Sequence, residues 1–146
     1  MPCLAWLNVV KSQDMNKQLI YDFAKAINEH DVQKICSLMS VDHRFVDPYG
    51  NEAVGIDMMK SGWKGYFEWF PDYEIEITEL ISYGDTFAAF GFAGGTFEGK
   101  KSVSSQNTWR LPAAWKVVVK DDRICLWQVY ADTKIPFTII ENNKER

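Results

Sequence analysis

The sequence changes its hydrophobic period at Pro71, and that change limits the chain to few architectures. Before Pro71 the apolar residues recur three and four positions apart, as in helices that bury one stripe. After it they alternate with polar residues or run on uninterrupted, as in strands. Helices first, with one short strand among them, and long strands afterwards is the pattern of an α+β domain. The helices then cover one side of a curved, mainly antiparallel sheet.

Leu19, Ile20, Phe23, Ala26 and Ile27 place a first helix between Asp14 and His30. Asp31 is positioned to cap a second helix, which carries Val32, Ile35, Cys36, Leu38 and Met39 at the same spacing. His43 to Asp47 reads as a short strand closed by Pro48 and Gly50. A third helix runs from Ile56 to Phe70, with Met59, Trp63, Tyr66, Phe67 and Phe70 near one face, and Pro71 stops it. Tyr73 to Ile81 alternates like a strand with one wet face, whereas Thr86 to Phe97, rich in Phe, Ala and Gly, suits a strand covered on both sides. Ser102 to Lys120 and Arg123 to Asp132 form a hairpin around Lys120-Asp121-Asp122, with Pro112 marking a bulge or an edge. A sheet that bends around a helix hairpin encloses a cone, and a cone lined by Phe and Gly leaves a hole.

At 146 residues the chain suits one domain. Residues 15–140 carry the patterned segments, with 1–14 as an N-terminal extension and 141–146 as a polar tail. The opening MPCLAWLNVVK lacks the basic flank of a signal peptide and reads as a strand or arm, or as sequence ahead of a native start at Met15. Six Trp, six Tyr and nine Phe are more rings than a small core needs, so some should line a cavity or an interface. A net charge of −4 without a Lys/Arg run argues against nucleic acid and phosphate-rich ligands. Cys3, Cys36 and Cys125 have no paired spacing and read as free thiols, which fits the cytoplasm. Two separated histidines make no metal site, and no GxSxG elbow or phosphate loop occurs, so neither a metal, NAD, a flavin nor a nucleotide is expected. The aromatic WKGYFEWF helix, balanced by Lys64 and Glu68, reads as a lid on the cone mouth rather than a membrane face.

FAKAINEHD, FVDPYG followed by Gly55, WFPDYEIEITELISYGD and PAAWKVVVKDDRICLWQVYAD resemble, in that order, the SnoaL-like members of the nuclear transport factor 2-like superfamily. The resemblance spans residues 15–137 and implies a cone-shaped α+β barrel on three N-terminal helices, an apolar pocket, and a homodimer packed through the sheet. That superfamily holds polyketide cyclases, ketosteroid isomerases, dehydratases and epoxide hydrolases, and also binding domains without chemistry, so the fold alone does not decide the function.

Two aspartates are the candidate catalytic residues. Asp47 matches the segment that carries the proton-shuttling aspartate of the ketosteroid isomerases, and a carboxylate facing an apolar pocket suits proton transfer from carbon. Alternatively it caps the turn ahead of Pro48. Asp132 falls where the resembled cyclases carry an acid/base aspartate; strand alternation puts it on the face of Tyr130 and Gln128, opposite Trp127 and Val129. The alternative is a solvated strand end. The isomerase tyrosine position corresponds to Phe23, with Tyr21 on another face, and the protonated-aspartate position falls near Ala114 or Trp115. Those departures argue against steroid isomerisation and leave the oxyanion donor open among Trp115, Trp109, Asn107, Gln106, Tyr130 and Tyr66. His43, Phe23, Trp63, Phe67, Phe90, Trp115 and Tyr130 are the expected substrate-binding residues. His43 shares the Asp47 face by period two and is also readable as a structural group. The expected ligand is a small apolar carbonyl compound, handled without a cofactor by isomerase or cyclase chemistry. A binding or dimerisation module, and a hydrolase or dehydratase using a pocket water, are the alternatives.

Overall fold

The computed structural model describes residues 2–98 and 105–144. Its elements are α1 (Pro2–Asn28), α2 (Val32–Ser37), β1 (Met39–Val46), β2 (Glu52–Val54), α3 (Ile56–Trp69), β3 (Glu74–Tyr83), β4 (Thr86–Thr96), β5 (Thr108–Lys120), β6 (Arg123–Ala131) and α4 (Lys134–Lys144). The strands form one open sheet in the order β2-β1-β6-β5-β4-β3, in which β1 and β6 run parallel and every other pair antiparallel. The helices pack against its concave face, as the change of period at Pro71 predicts.

Four local expectations are corrected. The N-terminal segment is neither strand nor arm: Pro2–Asn28 is one helix, whose outer turns leave Trp6, Val9 and Met15 exposed. The second helix ends at Ser37, because Met39 already pairs with Ile124 in the sheet. Of the expected strand from Ser102, residues 102–104 lie outside the described ones, 105–107 form a single 3₁₀ turn, and the strand begins at Thr108. The residues read as a polar tail from 141 continue a helix that was not expected: Lys134–Lys144 is helical and buries Pro136, Ile139 and Ile140.

The core lies between α1, α3 and the sheet. Ile20, Phe23 and Ile27 are fully buried on α1, at the spacing that the sequence shows. Asn28 fastens that helix to the edge of the sheet: its Nδ2 donates to the Ile75 carbonyl at 2.9 Å, and its Oδ1 accepts from the Ile75 N–H at 2.8 Å. The side chain thus does for β3 what a neighbouring strand would do, and it leaves that stretch of edge closed. Beside it, the His30 ring stacks on Phe67 at 4.0 Å, and its Nε2 meets the Tyr73 carbonyl at 2.8 Å.

In β3 the pairing skips Thr78 between Ile77 and Glu79. The extra residue reverses the alternation, so Ile75 and then Leu80 face the core while Ile81 is exposed. Opposite this bulge stands Gly91, where a Cβ would lie 1.7 Å from the Glu76 carbonyl oxygen. Only glycine lets the two backbones pass that closely.

Candidate active site

At its narrow end the cone is filled. Phe23 packs on Trp127 with ring centroids 4.8 Å apart, and Trp127 on Trp115 at 5.9 Å. At the wide end, between the sheet, α3 and α4, a cavity of about 620 Å³ remains, within the usual size of ligand pockets. The sheet contributes Trp109, Leu111, Trp127 and Val129, α3 contributes Met59, Trp63 and Tyr66, and α4 contributes Pro136, Phe137 and Ile140. The rim carries Asp47, Tyr49 and Asp132.

Of the expected site residues, the structure brings Asp47, Asp132 and Trp63 to this cavity and holds the others away from it. Phe23 and Trp115 fill the cone tip beneath it. Phe67 is turned from it toward His30. Phe90 and Tyr130 are 42% and 52% exposed on the convex side of the sheet, joined through Ala114 in the pairing of β4, β5 and β6. The concave face is that of Trp127 and Val129, the reverse of the parity that would have carried Tyr130 inward with Asp132. Asp132 still reaches the cavity because β6 ends at Ala131, and the chain turns before strand alternation can decide the next side chain.

Both aspartates take part in turns. Asp47 is half-buried; its Oδ1 accepts from the Tyr49 and Asn51 backbone N–H groups at 2.9 Å, and its Oδ2 from Asn51 Nδ2 at 3.1 Å. The carboxylate is therefore occupied with shaping the β1–β2 connection. Asp132 is exposed, and its Oδ1 accepts from the Lys134 backbone N–H at 3.0 Å, a turn that leads into α4. Its second oxygen is not used in that turn. The two turns are joined where the Thr133 hydroxyl donates to Tyr49 Oη at 3.0 Å, and Phe137 packs on the Tyr49 ring at 5.6 Å.

The inner wall supplies hydrogen-bond donors. Trp63 and Trp109 line the cavity, and their indole N–H groups are buried without a partner among the described residues. Tyr66 and Tyr73 also line it, with rings 4.8 Å apart at 89°. Burial raises the Tyr66 phenol well above its usual range, and burial followed by the neighbouring Tyr66 does the same for Tyr73, so both remain neutral donors. Tyr66 and Trp109 are among the donors that the sequence offers. Tyr73 was hidden in a strand pattern, and its place after the Pro71 turn was the available signal.

His43 is a structural group. It is fully buried, and its Nδ1 lies 2.7 Å from the Ile124 carbonyl, which can only accept, so Nδ1 carries the proton. The Gly55 N–H in turn donates to the His43 carbonyl at 2.8 Å. These bonds pin the irregular register between β1 and β6. Burial lowers the His43 pKa, against smaller raising effects of the Ile124 carbonyl and Asp42. With the folded value below the unfolded one, the unfolded chain binds the extra proton. Stability from this group is complete above about 6.5 and declines as pH falls below it, by at most about 1.4 kcal/mol per pH unit. Denaturant unfolding between pH 7 and 5 is expected to show that decline, and His43→Gln to flatten it.

Cys36 and Cys125 are free, and burial, the leading influence on each, raises both thiols. Among the described residues no group of three or more His, Cys, Asp or Glu side chains could hold a metal ion, and no helix is long and apolar enough to cross a membrane.

Comparison with solved structures finds the same architecture at low identity. A structure described as a SnoaL-like polyketide cyclase from Jannaschia sp. CCS1 superposes with a TM-score of 0.75 at 15% identity, covering 87% of this chain and 92% of the other. TerC, co-crystallised with polyporic acid, superposes at 0.73 with 19% identity over 87% and 98% of the two chains. A protein of ketosteroid isomerase-like fold from Catenulispora acidiphila DSM 44928, in complex with trimethylamine, gives 0.68 at 18% identity over 77% and 83%. Likeness at this identity shows the fold. Among proteins of curated function none matches the sequence. The family model of the SnoaL-like domain matches residues 20–127, from the buried stripe of α1 to the tryptophan at the cavity floor. The chain belongs to the SnoaL-like domain family.

Proposed function

We propose that the chain is a cofactor-independent enzyme of isomerase or cyclase type that moves a proton at the carbon beside a carbonyl, in a small and largely apolar ring compound. The observation that carries this reading is the pairing of a carboxylate with donors across one apolar cavity: Asp132 at the rim, and Trp63, Trp109, Tyr66 and Tyr73 on the inner wall. Removing a proton beside a carbonyl puts negative charge on its oxygen, which phenol and indole N–H or O–H groups stabilise when they are already in place. The base must stand at the other end of the molecule, over the carbon. Asp132 suits that role better than Asp47, whose two oxygens accept three hydrogen bonds from its own turn.

The engagement of both aspartates in turns favours a second reading, in which the cavity binds its ligand without changing it. One experiment separates the two. The protein is incubated with a panel of ring ketones in deuterated buffer, and loss of the signal beside the carbonyl is followed by proton NMR. Exchange well above that with heat-inactivated protein supports proton transfer. Ketones that bind and exchange only at the buffer rate leave the binding module.

The proposed assembly is a homodimer through the sheet, supported by Phe90 and Tyr130 with Ala114 between them on the exposed convex face.

A further inference from the structure

Taking the cavity as a binding site, as the proposed function does, we propose that its ligand carries a positive charge: an N-alkylated ammonium group attached to a ring. Apart from the indole and phenol donors, the formal charges around the cavity are of one sign. Among the described residues that bound the cavity there is no Lys, Arg or His, while Asp47, Glu52 and Asp132 all reach it. The rest is dominated by rings, among them Trp63, Tyr66, Phe70, Tyr73, Trp109 and Trp127. The face of an aromatic ring carries the negative part of its quadrupole, and indole the strongest of the three ring types. An anionic ligand would meet carboxylates without a cation to pair with. An organic cation would meet a carboxylate at the rim and aromatic side chains farther in.

The three carboxylates are not equivalent. Glu52 is paired with Arg44, and Asp47 is saturated by its turn, which leaves Asp132 as the counter-ion for an incoming cation. Alkylation of the nitrogen follows from the lining. A primary ammonium needs three acceptors on leaving water, whereas methyl-clad nitrogen loses little hydration and packs against rings. Such a group also serves the proposed reaction, because a cation near the carbonyl offsets the negative charge that builds on oxygen when the proton leaves.

The test is a titration calorimetry series with three probes that share one shape: benzyltrimethylammonium, its uncharged counterpart neopentylbenzene, and phenylmethanesulfonate. The ammonium is expected to bind roughly tenfold or more tighter than neopentylbenzene, and the sulfonate not at all. Asp132→Asn, or high salt, is expected to shrink the ammonium's advantage severalfold while leaving neopentylbenzene unchanged. Asn keeps an acceptor for the Lys134 N–H, so the variant should fold. Equal or tighter binding of neopentylbenzene, or binding of the sulfonate, would overturn the positive charge while the cavity kept its role. If none of the three binds while a ring ketone does, the positive charge is overturned and the cavity keeps its role; if the ketones fail as well, the proposed function falls together with this proposal.

Discussion

Asp132→Asn is expected to slow deuterium exchange beside the carbonyl of a bound ketone by about 10²- to 10⁴-fold, the usual contribution of a positioned base, with little change in the ketone's Kd. The substitution is gentle on the fold because the amide oxygen can still accept the Lys134 N–H that starts α4. Asp47→Asn should behave in the opposite way. It weakens three hydrogen bonds that a charged carboxylate now accepts, for a loss of roughly 1–2 kcal/mol in denaturant unfolding, and leaves exchange within a few-fold of the parent. Measuring rate and stability on both variants separates base from turn former. Equal loss of exchange in both would restore a mechanism that uses two carboxylates. Undiminished exchange in Asp132→Asn would remove that residue from the chemistry.

The largest effect on stability is expected from Gly91→Ala. The added methyl would sit 1.7 Å from the Glu76 carbonyl oxygen and 2.8 Å from its carbon, both backbone atoms that no change of rotamer can move aside. Relief requires either undoing the Thr78 bulge or separating β3 from β4. The first would move Leu80 out of the core and Ile81 into it, since a shift of one residue reverses every later side chain. A loss of about 3 kcal/mol or more is expected in urea unfolding. Within a sheet an ordinary Gly→Ala change relieves backbone entropy and is neutral or mildly stabilising, so a small effect would show that the bulge is not fixed as described.

Much of this fold was legible because burial alone writes the period into the sequence. The stripe Ile20, Phe23, Ile27 and the switch after Pro71 need no tertiary knowledge. The site was less legible, because lining and filling use the same residue types. Phe23, Trp115 and Trp63 are all large rings on inward positions, and only the taper of the cone makes the first two filler and the third a wall. Asp132 shows a different limit: alternation holds only while the strand lasts, and β6 stops one residue before it. The helix after it was readable in principle, since Asp132 and Thr133 followed by a proline at position 136 mark a helix start. At Asp47 the sequence leaves base and turn former open, and three hydrogen bonds show that its carboxylate shapes the turn.

That a carboxylate and a set of donors face one another across a single cavity is the claim on which the functional account depends. It is tested most directly by a crystal structure of the protein with a ring ketone that undergoes the exchange. The account predicts the carbonyl oxygen within about 3 Å of an indole or phenol donor on the inner wall, with the adjacent carbon turned toward the free oxygen of Asp132. A ketone seated with its carbonyl in the rim, or outside the cavity altogether, would contradict it.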